Sequence, residues 1–463
     1  MPPLTTDPAI RAAFAADASG LQMLPDAVSR PGTPAEVAAV LAEAAASRTP
    51  VTAAGAQTST TGASIADAGV LLSLGGMTRV LDLDPERRLV RAEAGALLGD
   101  VKRAVAEHGF LLAPDPTSED WSTVGGAVAC NASGARSLRY GATRAHVAAL
   151  TVVTAAGEMV ELRRPGLEKN TAGYEFAHDP VDWFVGSEGT LGVITEVEFR
   201  LLPLPASPVG LAVPFASEAD ALRFVVAARE STELRARCLE FLDEGALAIA
   251  RAAGGDPRWA AGARALVYAE DAPTPGWGAS PTAGDEPPLD AWLALSEAHG
   301  ASDGDIRVYD SDAAIRDARQ MRHAVPSAMH ERAAGYRAHG GRRVSTDWAV
   351  PYARLHEALT AARRIAAAHG VEPAVTFGHA GNGHPHQNYV ARDADELRRI
   401  EAVVEETLRL VIAMGGTVAA EHGIGKLKRR WLPLQLSALQ LGAMRAMKRE
   451  LDPLGILAPG NIL

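Results

Sequence analysis

The sequence predicts an α+β protein of two or three domains, and three observations carry the prediction. The chain has 463 residues, more than one hydrophobic core usually serves. Short strand and helix signals alternate through the first 204 residues, then give way from about 209 to longer helical stretches with fewer glycine loops. The proline-rich "PLPASP" at 203–208 separates the two styles and marks a boundary.

In the first part, Thr33-Pro34-Ala35-Glu36 combines an N-cap, a proline at the first helical position and a capping-box glutamate. Val37, Val40, Leu41 and Ala44 follow at helical spacing. "PVTAAG" at 50–55 is strand-like, a small-residue loop runs to Gly62, and "VLLSL" at 70–74 is an apolar strand. "LVRAEAGA" at 89–96 alternates Val90, Ala92 and Ala94, and a helix from about Leu97 to Glu107 stops at Gly109. "VAALTVVTAAGEMVEL" at 147–162 predicts two strands around a turn at Gly157, and "LGVITEVEFRLL" a further strand.

In the second part, "ALVYAED" is strand-like and "LDAWLALSEAHG" helical, with a turn-rich surface excursion, "APTPGWGASPTAGDEPP", between them at 272–288. A helix is expected from about Tyr352 to His369, ending at Gly370, and the strand-like "PAVTFG" follows. Another amphipathic helix aligns Leu397, Ile400, Val404, Leu408 and Val411. The tail, 416–463, contains "AAEHGIGKLKRR", a methionine-rich helix and "LDPLGILAPGNIL".

Composition removes several classes of function. A net charge of −11 argues against nucleic acid, whose phosphates require a basic face. Two distant cysteines, Cys130 and Cys238, predict no disulfide framework. No window of ~20 apolar residues would span a membrane. The first residues lack a signal peptide's charged start and apolar stretch, so a cytoplasmic protein is expected.

Three glycine- and hydroxyl-rich loops let backbone approach one extended ligand closely: "AGAQTSTTG" at 54–62, "DPTSEDWSTVGGAVACNASGARSLRYG" at 115–141 and "GSEGTLGVITE" at 186–196. None is a GxxxxGK[ST] or GxGxxG loop, so neither ATP nor the usual dinucleotide turn is indicated. Later come "GHAGNGHPHQN" at 378–388, with three histidines, and "EHGIG" at 421–425.

Together with "KNTAGYEF" at 169–176 and "LDPLGILAPGN" at 451–461, these segments, in this order, resemble the FAD-linked oxidases of the vanillyl-alcohol oxidase type. They resemble most the branch of D-lactate dehydrogenases, glycolate oxidase catalytic subunits and D-2-hydroxyglutarate dehydrogenases. The resemblance runs from about Pro25 to the C-terminus. It implies a two-lobed, PCMH-type FAD domain at 1–204 and a substrate cap at 205–415 with an antiparallel sheet flanked by helices. The segment 416–463 would return to the FAD domain.

The resemblance implies that Ala54, Gly55, Ala56, Gln57, Thr58 and Ser59, with Gly62, surround the FAD pyrophosphate. Pro116, Ser122, Thr123, Gly125, Gly126, Asn131, Ser133, Gly134, Glu188, Gly189 and Ile194 would line the rest, with Asn461 near the isoalloxazine. The loop start Ala54-Gly55-Ala56-Gln57 departs from the usual Arg-Gly-Gly-Gly, and no histidine stands there. Non-covalent FAD is therefore expected.

Oxidising a 2-hydroxy acid removes a proton from the alcohol and a hydride from the α-carbon, so the site needs a base, an acidifying group and a cation for the carboxylate. By resemblance, His379, His386 and Glu421 would ligate a divalent metal (Zn, Mn or Fe), and His422 would be the base, with hydride transfer to flavin N5. Arg322 would bind the substrate carboxylate, and Arg343 either a second carboxylate or nothing but surface. Relatives usually read Gly-Asp-Gly-Asn-Leu-His where this chain has Gly381-Asn382-Gly383-His384-Pro385-His386. On an extended strand His384, His386 and Asn388 would face one way. His384 is thus an added ligand, a substrate contact or a mark of altered substrate class, and a substrate-proximal place is favoured. The substrate would be a small 2-hydroxy acid, the electron acceptor is unspecified, and a homodimer is left open. Two other readings compete: a non-oxidative flavoenzyme resembling alkyl-dihydroxyacetone-phosphate synthase, and a flavin subunit that relays electrons.

Overall fold

A computed structural model describes residues 2–205, 207–254, 256, 258–272, 288–301 and 303–463. Most of the turn-rich excursion at 272–288 lies outside the described residues. The chain divides into two compact units, the first comprising residues up to Gly134, Gly141–Leu204 and Glu421–Leu463, the second Ala135–Tyr140 and Pro205–Ala420. Both mix helix with sheet, as the α+β prediction requires.

In the first unit, Ala27–Ser29 and Val51–Ala54 run parallel to Val70–Ser73, which lies between them. The helix Pro34–Ser47 carries the chain from the first of these strands to the second, leaving the place between them for Val70–Ser73. Thr33 caps it by accepting from the Glu36 N–H (3.2 Å), and Val37, Val40, Leu41 and Ala44 are its buried face. Glu36 reaches back one residue further than a capping box predicts, accepting from Gly32 N–H at 2.7 Å. The tail completes this sheet: Val51 N–H donates to Ile456 O and Ala458 N–H to Val51 O, both at 2.8 Å. Ile456 and Leu457 are buried in one core with Leu41, Val51 and Leu72. A second sheet is antiparallel, in the order Val80–Asp84, Leu89–Glu93, Val193–Arg200, Val147–Val153, Met159–Arg163.

The second unit is built on an antiparallel sheet. Its order is Arg307–Tyr309, Val209–Phe215, Ala265–Asp271, Ala236–Asp243, Val375–His379, His384–Val390, Arg343–Thr346. Its central strands are buried along nearly their whole length, because helices cover both faces. On one face, Cys238, Leu242, Tyr268 and Phe377 pack with Leu247 from the helix Glu244–Ala253 and Val325 and Met329 from Asp312–Ala334. On the other, the Phe215 ring packs tilted, 5.3 Å between centroids, against Phe224 of the helix Glu218–Glu230. Charged residues inside such strands must find partners, and those partnerships form the candidate site.

Candidate active site

The histidine cluster follows from the register of one hairpin in the second unit. His379 stands directly opposite His384, and Phe377 opposite His386, across Val375–His379 and His384–Val390. Opposed residues share a face, as do residues two apart on one strand, so all three imidazoles project the same way. Ring centroids lie 5.3 Å apart for His379–His384, 5.2 Å for His379–His386 and 4.5 Å for His384–His386. All three are buried. The turn between the strands needs Gly383, whose φ is 67° and whose Cβ, were there one, would meet Val350 O at 2.0 Å. Arg229 donates to Gly381 O and lies 4.2 Å over the Tyr352 ring, bracing the turn from outside.

Behind two imidazoles stand carboxylates that sequence reasoning missed. His379 Nδ1 donates to Glu240 Oε1 at 2.5 Å, and His386 Nδ1 to Asp347 Oδ1 at 3.1 Å. An ionised carboxylate only accepts, so each bond fixes the proton on Nδ1 and presents Nε2 as a lone-pair donor. This is the arrangement a divalent metal asks of imidazole. Glu240 also pairs with Arg322 (Nε to Oε2, 2.9 Å), whose guanidinium lies 5.3 Å over the Phe377 ring. Burial pushes the Glu240 carboxyl up, but the hydrogen bond from His379 Nδ1 and the charge of Arg322 outweigh it and hold it below the usual carboxylate range. Arg343 donates from Nε to Asn388 Oδ1 (2.7 Å), and Asn388 Nδ2 donates to His386 O (3.2 Å). Thus Arg322, Arg343, His384 and Asn388 belong to the histidine face of this sheet, with both arginines engaged by side-chain acceptors.

The loops of the first unit carry the flavin candidates. Gly55 lies so close to Thr123 that a Cβ would fall 2.1 Å from its Oγ1. Thr123 caps Val124–Ala129 by accepting from Gly126 N–H, which fixes the Gly125-Gly126 turn. Backbone strain gathers in these loops: Gln57, Asn131, Glu188 and His422 all have positive φ, at 56°, 48°, 50° and 68°. The buried hydroxyls of Ser122 and Ser187 have no hydrogen-bond partner among the described residues. Orphaned hydroxyls beside strained, small-residue backbone fit a polar ligand such as the FAD diphosphate and ribityl chain.

Several side chains expected to line the flavin also make hydrogen bonds within the first unit. Gln57 Nε2 donates to Phe14 O and Ser64 O, and Ser59 Oγ accepts from Thr61 N–H and Ala63 N–H. Asn131 Oδ1 accepts from Arg144 N–H. The Glu188 carboxylate accepts from Ile424 N–H (2.5 Å) and Gly425 N–H (2.7 Å), so it holds the "EHGIG" turn. Burial raises the Glu188 carboxyl. Asn461 Nδ2 donates to Ala63 O and Glu188 O, and its Oδ1 accepts from Lys426. Ser133 Oγ donates to Glu421 Oε1 at 2.8 Å, Lys428 Nζ to Glu421 O, and Thr61 Oγ1 to His422 O. Ala54, Pro116 and Ile194 are buried, while Ala56 is exposed; Thr58 and Gly62 share that loop, and Gly62 and Gly189 have positive φ. At Gly134 a Cβ would strike Asp115 O.

The charges within the second unit's strands give the signal that could have found Glu240. Arg237, Glu240 and Glu270 stand as charges within largely apolar, buried strands, and Glu270 is matched by Arg136 and Arg237, both at 2.8 Å.

Residues 25–163 match the family described as "FAD binding domain", and residues 204–462 match "FAD linked oxidases, C-terminal domain". Glycolate oxidase subunit GlcD of Bacillus subtilis (strain 168) is 30% identical over 447 residues, covering 95% of this chain and 89% of the relative. D-lactate dehydrogenase of Anaerostipes hadrus is 30% identical over 92% of this chain and 87% of its own. D-2-hydroxyglutarate dehydrogenase of Xanthomonas citri pv. viticola reaches 33% over 95% and 89%. A solved alkyldihydroxyacetonephosphate synthase superposes with a TM-score of 0.72 over 98% of this chain and 82% of its own, and at 17% identity it speaks for the fold alone. A match over most of the second half, with relatives aligned nearly end to end, places the chain in the FAD-linked oxidases: it is an FAD-dependent oxidoreductase of the branch that holds D-lactate dehydrogenases, glycolate oxidase subunits and D-2-hydroxyglutarate dehydrogenases.

Proposed function

We propose that the protein oxidises a small D-2-hydroxy acid to the corresponding 2-oxo acid, with non-covalent FAD and a divalent metal. The observation that carries this reading is the buried imidazole cluster whose Nδ1 atoms at His379 and His386 are tied to carboxylates. An electron-relay subunit has no use for such a cluster. FAD, when bound, would supply the two-electron acceptor for the α-hydride. His379 and His386 would hold the metal through Nε2, with Glu421 assigned by resemblance as the carboxylate ligand. Glu421 follows Ala420 in the chain, and Ala420 N–H donates to the carbonyl of Asp347, the partner of His386. A divalent ion held there would lower the pKa of an alcohol it contacted.

His422 is assigned as the base. An ordinary imidazole titrates near neutrality, which suits removal of a proton from an acidified alcohol. The bond from Thr61 Oγ1 to His422 O helps keep it in its strained conformation. Arg322 is assigned to the substrate carboxylate and Arg343 to a second one where the substrate has it, since a guanidinium fork matches carboxylate geometry. Both then exchange part of their present bonding for substrate. FAD is read as dissociable, because the 54–62 loop offers no histidine for a covalent link. No helix among the described residues is long and apolar enough to cross a membrane.

Anaerobic mixing of the holoprotein with D-lactate, glycolate, D-2-hydroxyglutarate and D-malate tests the reading. Bleaching of the flavin by at least one of them, and not by the L-enantiomer of a chiral one, is expected. A flavin that stays oxidised with all four overturns the assignment and returns attention to the non-oxidative alternative.

A further inference from the structure

We propose that His384 is itself a metal ligand, so that this chain grips its divalent ion with three imidazoles rather than two. The inference deepens the metal reading above and rests on it. It stands on the hairpin register: His384 is the direct cross-strand neighbour of His379 and lies two residues from His386 on the same face. Its ring is 4.5 Å from that of His386, closer than either is to His379. Ligand nitrogens of the three residues lie within 4.8 Å of one another, the spacing of donors around a single ion. A tetrahedral or octahedral ion with bonds of about 2.1 Å puts its donors roughly 3–4 Å apart, so only small ring rotations are needed.

The surroundings are built to hold this third ring. His384 is 2% exposed and follows a turn that only glycine at 383 permits, with Arg229 locking Gly381 from behind. Three imidazoles converging on one buried face supply the nitrogen donors that a divalent ion takes. Adding an imidazole also changes which ion is preferred. Nitrogen donors favour zinc, cobalt and copper, whereas oxygen-rich sets suit manganese and magnesium. A three-histidine site should therefore discriminate strongly for zinc over manganese.

Metal titration of the FAD-loaded protein, stripped beforehand with a chelator, tests this without turnover. Zn2+ and Mn2+ affinities are compared for wild type, His384→Asn, His384→Gln and His379→Ala, and nitrogen hyperfine lines are counted in the Cu2+-loaded forms. The expected result is one tight Zn2+ site whose affinity falls at least about tenfold in both His384 variants, the lower end of what losing a ligand's supporting partner costs. One nitrogen should vanish from the copper spectrum while the flavin content is unchanged. If both His384 variants keep wild-type affinity and nitrogen count while His379→Ala loses the metal, the third ligand is refuted and the two-histidine reading stands. If wild type binds no stoichiometric metal, both fall together.

Discussion

Replacing Glu240 by Gln removes one charge that serves two groups at once. Glu240 is 3% exposed at its side chain and Arg322 11%, so their ion pair is largely withdrawn from water. Breaking a buried pair from one side costs roughly 3–5 kcal/mol, because the remaining charge stays desolvated. Glutamine keeps the size and one acceptor oxygen, which places the expected loss at the lower end, about 3 kcal/mol. For a domain of the second unit's size that is a fall of roughly 6–12 °C in the melting temperature of the metal-stripped protein. The same substitution leaves His379 Nδ1 without an anionic acceptor, so Zn2+ affinity should drop by about 10–100-fold. Calorimetric melting and Zn2+ titration of the same preparations supply the two numbers. A variant that melts with wild type and binds zinc equally well would refute the idea that Glu240 anchors Arg322 and orients His379.

His422→Ala should retain FAD and the wild-type melting temperature yet lose turnover by orders of magnitude; steady-state rates close to wild type would remove His422 as the base. Flavin should pass into the supernatant after acid precipitation, and flavin retained in the pellet would show a covalent link. Burial pushes the Asp243 carboxyl up to about 6, against two backbone N–H bonds from Ala246 and Thr376. The folded state then keeps a proton that the unfolded chain releases near pH 4, so this group's stability contribution is full below about pH 4 and is lost as pH climbs through 6. The shift corresponds to about 3 kcal/mol, and wild type should lose stability relative to Asp243→Asn across that window. A difference in melting temperature that stays constant with pH would show ordinary titration.

How legible all this is in the sequence depends on the range of the interaction that decides it. Local rules work well: Thr33 and Pro34 start a helix, Gly157 sits in a hairpin turn, and Leu98–Ala106 ends near Gly109. The histidines are legible because alternate positions on one strand share a face whatever lies around them. Their partners are not. Glu240 stands 139 residues before His379, and Asp347 39 before His386, separations that only strand order closes. Nor does the sequence show that Ala135–Tyr140 joins the second unit, where Arg136 meets Glu270. The candidate flavin loops are visible as glycine-rich stretches, but the hydrogen bonds their side chains make are not. Glu188 and Asn461, both expected near the flavin, bond backbone of their own unit across long sequence separations.

The measurement that bears most directly on the whole account is the rate of anaerobic flavin bleaching by the best D-2-hydroxy acid, before and after metal removal. Stripped protein with its FAD intact should bleach at least about tenfold more slowly, recover on adding Zn2+, and fail to recover in His379→Ala. Equal rates in the native, stripped and reloaded forms would contradict it, leaving the histidine cluster without a part in the oxidation.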